Sequence, residues 1–179
     1  MLAAGGAAAA LASCGGEGNP QVTPTVSPDQ ARSDAAVMNA LLDLERTAVL
    51  AYSIGLRRLS GAPRAVAARF LEHEREHERA VRRAIRGLGA QPTPARPARA
   101  YTSGFPRLRT AQEVLRFALD VENTQVSAYG DSLGSIVTPE LRTELASILA
   151  VEAEHMSVIL GALHEPQASQ ALVTGNAPT

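Results

Sequence analysis

Four stretches of the chain carry apolar residues at helical spacing, separated by turn-forming residues. From Asp34 to Leu59, Met38, Leu41, Ala48, Tyr52 and Leu59 recur on one face, and Gly61 with Pro63 supplies a stop and a fresh start. From Pro63 to about Arg86, Phe70, Val81, Ile85 and Leu88 form a stripe that Gly87 and Gly89 close. Thr110-Ala-Gln-Glu113 has the form of a capping box, in which hydroxyl and carboxylate satisfy each other's backbone donors. It opens a third helix running through Leu115, Ala118, Tyr129 and Leu133. Thr138-Pro139 caps and begins a fourth, with Leu141, Leu145, Ile148, Ile159 and Ala162 on its stripe until Pro166 ends it. Residues 90–109 hold Pro92, Pro94, Pro97 and Pro106, which exclude regular structure there. Two short-linked helix pairs joined by a connection long enough to run the length of a helix predict an all-α fold, an antiparallel four-helix bundle with one long crossover between helices two and three.

The two pairs are copies of one unit. LLDLERTAVLAY in the first helix matches ALDVENTQVSAY in the third when Glu45 is laid on Glu122. EREHERAV in the second matches EAEHMSVI in the fourth when His77 is laid on His155. The offsets, 77 and 78 residues, are nearly equal, as a duplicated hairpin requires.

Six polar residues interrupt the apolar stripes. Glu74 and His77 fall between Phe70 and Val81, and Glu152 and His155 between Ile148 and Ile159. Glu45 follows Leu41, and Glu122 follows Ala118. Glu72, His73, Arg75, Glu76, Glu78 and Arg79 lie off the stripe and read as a solvated face laced with charge pairs. An inward carboxylate without a partner costs several kcal/mol, roughly, even after relaxation. One alternative is that each inward Glu meets an Arg or sits at a frayed rim. The other is that two divalent cations balance the four carboxylates and take both imidazoles as neutral ligands. A three-residue Glu-to-His spacing that occurs twice inside a repeat favours the second.

Glu45, Glu74-x-x-His77, Glu122 and Glu152-x-x-His155 resemble the ligand set of the ferritin-like superfamily of di-iron and di-manganese carboxylate proteins, across about residues 34–165. The resemblance implies a ferritin-like bundle with two iron or two manganese ions as cofactor. In it Glu74 and Glu152 bridge or chelate, Glu45 and Glu122 are terminal ligands, and each His takes one metal. Tyr52 and Tyr129, each seven residues after its Glu, resemble tyrosines that flank the ligands in the superfamily. They read equally well as core aromatics with the hydroxyl at a rim. Many members have Asp just before the Glu-x-x-His. Here those positions are His73 and Val151, so the outer support of the two histidines is not visible in the sequence.

Composition narrows the partners. Seventeen basic residues, all Arg, stand against 18 acidic ones, so the net charge of −1 supports neither a nucleic-acid groove nor a polybasic membrane face. The cluster Arg82, Arg83 and Arg86 reads as solvated surface rather than as a docking site for anionic partners. The single cysteine, Cys14, rules out an intramolecular disulfide. It ends LAAGGAAAALASC, an apolar small-residue run that resembles a bacterial lipoprotein signal, with residues 1–13 removed and Cys14 lipidated. No Arg or Lys precedes the run, so the start is expected to lie upstream. Residues 14–33, rich in Gly, Pro, Ser and Thr, read as a flexible tether, and those from Pro166 onward as a disordered tail.

The expectation is therefore a lipid-anchored, extracytoplasmic protein on the outer face of the cytoplasmic membrane. Its di-metal centre would perform redox chemistry of oxidase, ferroxidase or catalase type with dioxygen or peroxide, and a homodimer is compatible with the chain. The rival expectation is an envelope scaffold or interaction module with structural metal or none.

Overall fold

The computed structural model describes residues 26–167 together with Gly175. Among these it forms five helices and no strand: α1 (Pro28–Gly55), α2 (Gly61–Gly87), α3 (Ala98–Thr102), α4 (Ala111–Ser135) and α5 (Pro139–Ala162). The leader, Cys14 and nearly all of the C-terminal tail lie outside the described residues.

The first helix begins six residues before Asp34, so residues 28–33 are helix rather than tether. Ser27 makes a full capping box with Gln30, and Pro28 takes the first turn, where its missing N–H costs nothing. That signal lies inside a Pro- and Ser-rich stretch whose composition masks it. The helix also ends early, at Gly55, where the chain turns so that Leu59 is buried from the loop instead of from the helix. The capping box of α4 forms as expected, with Thr110 accepting from the Glu113 N–H and Glu113 accepting from the Thr110 N–H at 3.0 Å. Thr138 stands at the N-cap of α5 without accepting from the helix. Its N–H and hydroxyl donate instead to Asp34 Oδ2, at 2.9 and 2.6 Å, and the Val137 N–H donates to Asp34 Oδ1 at 3.0 Å. A carboxylate on α1 thus caps the α4–α5 turn.

α1 packs along α2, α4 along α5, and the two hairpins meet chiefly where α1 lies on α4. The crossover is not irregular throughout. α3 forms after Pro97, whose fixed φ suits a helix start. The segment is pinned to α1: Thr93 donates to Asn39 through its N–H and hydroxyl, and the Arg46 guanidinium donates to the Thr93 carbonyl at 2.7 Å. The Tyr101 hydroxyl donates to Asp43 at 3.2 Å.

Two apolar clusters fill the bundle from its ends. Met38, Leu42, Ile85, Ile136 and Leu145 lie toward one end, and Phe70, Leu71, Val114, Leu119 and Ile159 toward the other. The polar positions on each helix fall between them in sequence. α5 is apolar enough by length and composition to cross a membrane, yet it packs on α4 and buries Glu152 and His155.

Candidate metal centre

The heptad-like register of each long helix turns its polar interruption inward. Glu45, Glu74, Glu122 and Glu152 are each 0 % exposed, and His77 and His155 are buried beside them. They form two groups whose donor atoms lie within 4.8 Å of one another: Glu45, Glu74, His77 and Glu152, and Glu74, Glu122, Glu152 and His155. Glu74 and Glu152 belong to both. Each turns one oxygen to each histidine. Glu152 Oε1 lies 2.9 Å from His77 Nδ1 and its Oε2 lies 3.3 Å from His155 Nδ1, while Glu74 Oε2 and Oε1 stand 4.0 and 3.3 Å from the same two nitrogens. Glu45 faces His77 alone, at 3.8 Å, and Glu122 faces His155 alone, at 3.4 Å.

No arginine reaches these carboxylates among the described residues. Arg46, buried nearby, pairs with Asp43 and Glu78 instead, and the half-buried Glu78 also pairs with Arg82 one turn on. The site's neutralisation therefore has to come from protons or from metal. Burial pushes the Glu45, Glu74 and Glu122 carboxyls up, and the neighbouring Glu152 raises Glu45 and Glu74 further. At Glu152 burial acts the same way, but the adjoining His155 and His77 rings outweigh it and the carboxyl falls to about 2. At His155 burial favours the neutral ring, and Glu122, Glu152 and Glu74 override it, raising the ring to about 11. A divalent cation among these groups would favour the ionised carboxyls and the neutral rings.

The tyrosines cross between hairpins. The Tyr52 hydroxyl donates to Glu122 Oε1 and the Tyr129 hydroxyl to Glu45 Oε1. Burial and then the adjoining carboxylate hold both phenols well above their ordinary value, so both remain donors. The remaining donor atoms answer whether a metal pair fits. Glu45 Oε2, Glu74 Oε1, Glu122 Oε2, Glu152 Oε2 and both histidine Nδ1 atoms are buried and make no well-aligned hydrogen bond among the described residues. Such atoms are rare in a folded protein and are what a hard-to-borderline divalent cation takes.

Two residues of the site escape sequence reasoning. Gln125 is buried and its amide donates to Glu74 Oε2 at 3.1 Å and to Glu152 Oε1 at 3.2 Å. Its signal is its place on the inward stripe three residues after Glu122, where the first half of the repeat has Ala48. His73, expected on the solvated face, is half-buried, lies edge to edge with His155 with ring centroids 5.2 Å apart and planes 15° apart, and places Nδ1 3.0 Å from His155 Nε2. Burial and then the neighbouring His155 and His77 rings lower His73, which favours its neutral form. The residue just before Glu74, where the sequence shows no outer support for a histidine, thus does contact His155. Phe70 stacks on the face of the His155 ring at 3.9 Å. Phe70 and Tyr52 also line an apolar cavity of about 190 Å³ that opens at Val66 and Val158.

A four-helix bundle with two carboxylates shared between two Glu/His groups defines the class of di-metal carboxylate bundles, and the donor set here fits a dinuclear metal site. The chain belongs to the ferritin-like domain family, whose pattern it matches over residues 33–165. It is similar to the crystal structure of a ferritin-like, diiron-carboxylate protein from Bacillus anthracis (22 % identity, TM-score 0.62, covering 75 % of this chain and 97 % of that one). It is also similar to a dodecameric thioferritin, the bacterioferritin-related protein of Bacteroides fragilis (20 %, TM-score 0.65, 75 % and 86 %). A third likeness is to a conserved hypothetical protein, rv2844, from Mycobacterium tuberculosis (17 %, TM-score 0.65, 73 % and 97 %). At these identities the likeness shows the fold. No curated protein matches the chain.

Proposed function

We propose that the chain binds a dinuclear iron or manganese centre at Glu45, Glu74, His77, Glu122, Glu152 and His155 and performs redox chemistry with dioxygen or peroxide. The observation that carries this reading is the pair of donor groups sharing Glu74 and Glu152, with buried atoms on each side that have no hydrogen-bond partner among the described residues. A bound metal pair supplies redox equivalents and open coordination positions for an oxidant. The protein's own part is to hold, dry and orient. The apolar clusters exclude water, Gln125 fixes the two shared carboxylates, and Tyr52 and Tyr129 keep protons directed at Glu122 and Glu45. The cavity beside Tyr52 and Phe70 suits a small apolar molecule such as dioxygen.

We place the protein at the outer face of the cytoplasmic membrane, held by lipid on Cys14. The support is the LASC sequence and the linker-like composition that follows it. In fractionated cells the parent is expected with membranes and Cys14→Ala free of them. If the two distribute alike, Cys14 is not an anchor.

Elemental analysis of the purified full-length chain tests the centre. About two iron or manganese atoms per chain are expected, lost in Glu74→Ala/Glu152→Ala, together with metal-dependent oxidation or peroxide turnover. A parent that folds stably yet stays metal-free after loading points instead to an envelope scaffold or interaction module.

A further inference from the structure

The two halves of the repeat are alike in their six donor residues, and two of the positions at which they differ make polar contacts with those donors. His73 precedes Glu74 where Val151 precedes Glu152, and Gln125 follows Glu122 where Ala48 follows Glu45. Both differences act on the metal positions, and in the same direction.

A metal at His155 Nδ1 needs that nitrogen's lone pair, so the ring proton must sit on Nε2. There it faces His73 Nδ1 at 3.0 Å and donates to it. This bond fixes tautomer and ring orientation, and Phe70, stacked on the face of the His155 ring at 3.9 Å, adds to it. Val151 has no acceptor with which to do the same for His77. Gln125 works on the opposite side. Its amide takes Glu74 Oε2 and Glu152 Oε1, the oxygens turned to His77, and leaves Glu74 Oε1 and Glu152 Oε2 without partners on the His155 side. The His155 group therefore presents three unpartnered atoms at the histidine, Glu74 Oε1, Glu152 Oε2 and His155 Nδ1, with Glu122 Oε2 free beside the Oε1 that faces His155 and accepts from Tyr52. The His77 group presents two, Glu45 Oε2 and His77 Nδ1.

We infer that the two metal positions are unequal by construction: the His155 position fills first and holds its ion more tightly, with His73 as its positioning residue, and the His77 position is the exchangeable one. This rests on the di-metal reading above. The asymmetry separates a retained ion from one that can be lost or loaded during turnover.

Titration of the metal-free full-length chain with Co(II), followed by visible absorption and calorimetry, tests it. Two steps are expected. Glu122→Ala should abolish the tighter and Glu45→Ala the weaker. His73→Val should lower the tighter affinity roughly 10- to 100-fold and leave the weaker unchanged, as loss of a histidine's outer partner does elsewhere. His73→Asn, which keeps an acceptor, should recover most of that loss, and Gln125→Ala should strengthen the weaker step. Helical circular dichroism before titration establishes that each variant is folded. Two equal steps in the parent, or a His73→Val that weakens both steps alike, overturn the inference while leaving the di-metal reading intact. A parent that takes up no metal refutes both.

Discussion

The Tyr129 hydroxyl on α4 donates to Glu45 Oε1 on α1, not to the glutamate of its own helix, and Tyr52 answers it by donating to Glu122. Each hairpin thus steadies a carboxylate of the other. The tyrosines tie the duplicated halves together at the level of the site.

Removing one hydroxyl leaves a buried carboxylate oxygen without its donor. Tyr129→Phe is expected to destabilise the metal-free chain by about 1–3 kcal/mol. The loss should shrink once metal is bound, because the ion then compensates the same carboxylate. Thermal unfolding of parent and variant with and without manganese checks this, and an equal loss in both states excludes Glu45 from the metal's surroundings.

Metal binding to the folded chain alone must raise its stability. At a free metal concentration 100 times the dissociation constant the gain is about 2.7 kcal/mol per site. The parent's melting temperature should rise with added iron or manganese and fall back on chelation, while Glu74→Ala/Glu152→Ala should not respond. A response that survives in the double variant assigns the metal to other groups.

Asp34 carries the pH dependence of the α1 contact with the α4–α5 turn. Burial opposes its ionisation, but hydrogen bonds from Thr138 and Val137 outweigh it and lower its pKa. A depressed carboxyl stabilises fully above its unfolded value of about 3.9, and the contribution fades as pH falls through the lower folded value. Asp34→Ala should cost about 1.5–3 kcal/mol near neutrality, the range for hydrogen bonds to a charged group. The gap between parent and Asp34→Asn should narrow on acidification below about pH 4. Denaturant midpoints at a series of pH values decide it, and a gap constant with pH would show that Asp34 acts only as a shape.

His164 closes α5 with φ 61°, in the left-handed region, as its N–H donates to the Gly161 carbonyl at 3.1 Å and the Glu165 N–H to that of Leu160 at 2.9 Å. Glycine adopts this backbone without the clash of a Cβ, so His164→Gly is expected to stabilise the chain, by about 1 kcal/mol. An unfolding midpoint that stays put or falls would mean that the imidazole makes a compensating contact.

Much of the fold was legible because period and punctuation are local. Met38, Leu41, Phe70, Val81, Leu141 and Leu145 repeat at helical spacing, and capping residues and prolines mark most boundaries. The six inward donors were legible for the same reason, since a polar residue on an apolar stripe points where the stripe points. The early start of α1 was hidden by composition, because Ser27 and Pro28 serve equally well in a linker and in a helix cap. α3 was hidden because four prolines read as an unbroken loop, although Pro97 can start a helix.

What only the tertiary structure decided is which neighbours those side chains meet. Helical period says that Tyr52, Gln125 and Tyr129 face inward, but not that the tyrosines reach across to the opposite hairpin or that Gln125 binds both shared glutamates. His73 lies at the edge of its stripe, where period alone assigns it to solvent. Its contact with His155 depends on how closely α2 and α5 approach and on their relative height. That distance is set by the packing of all the helices together, a property of the assembled bundle that no single helix encodes.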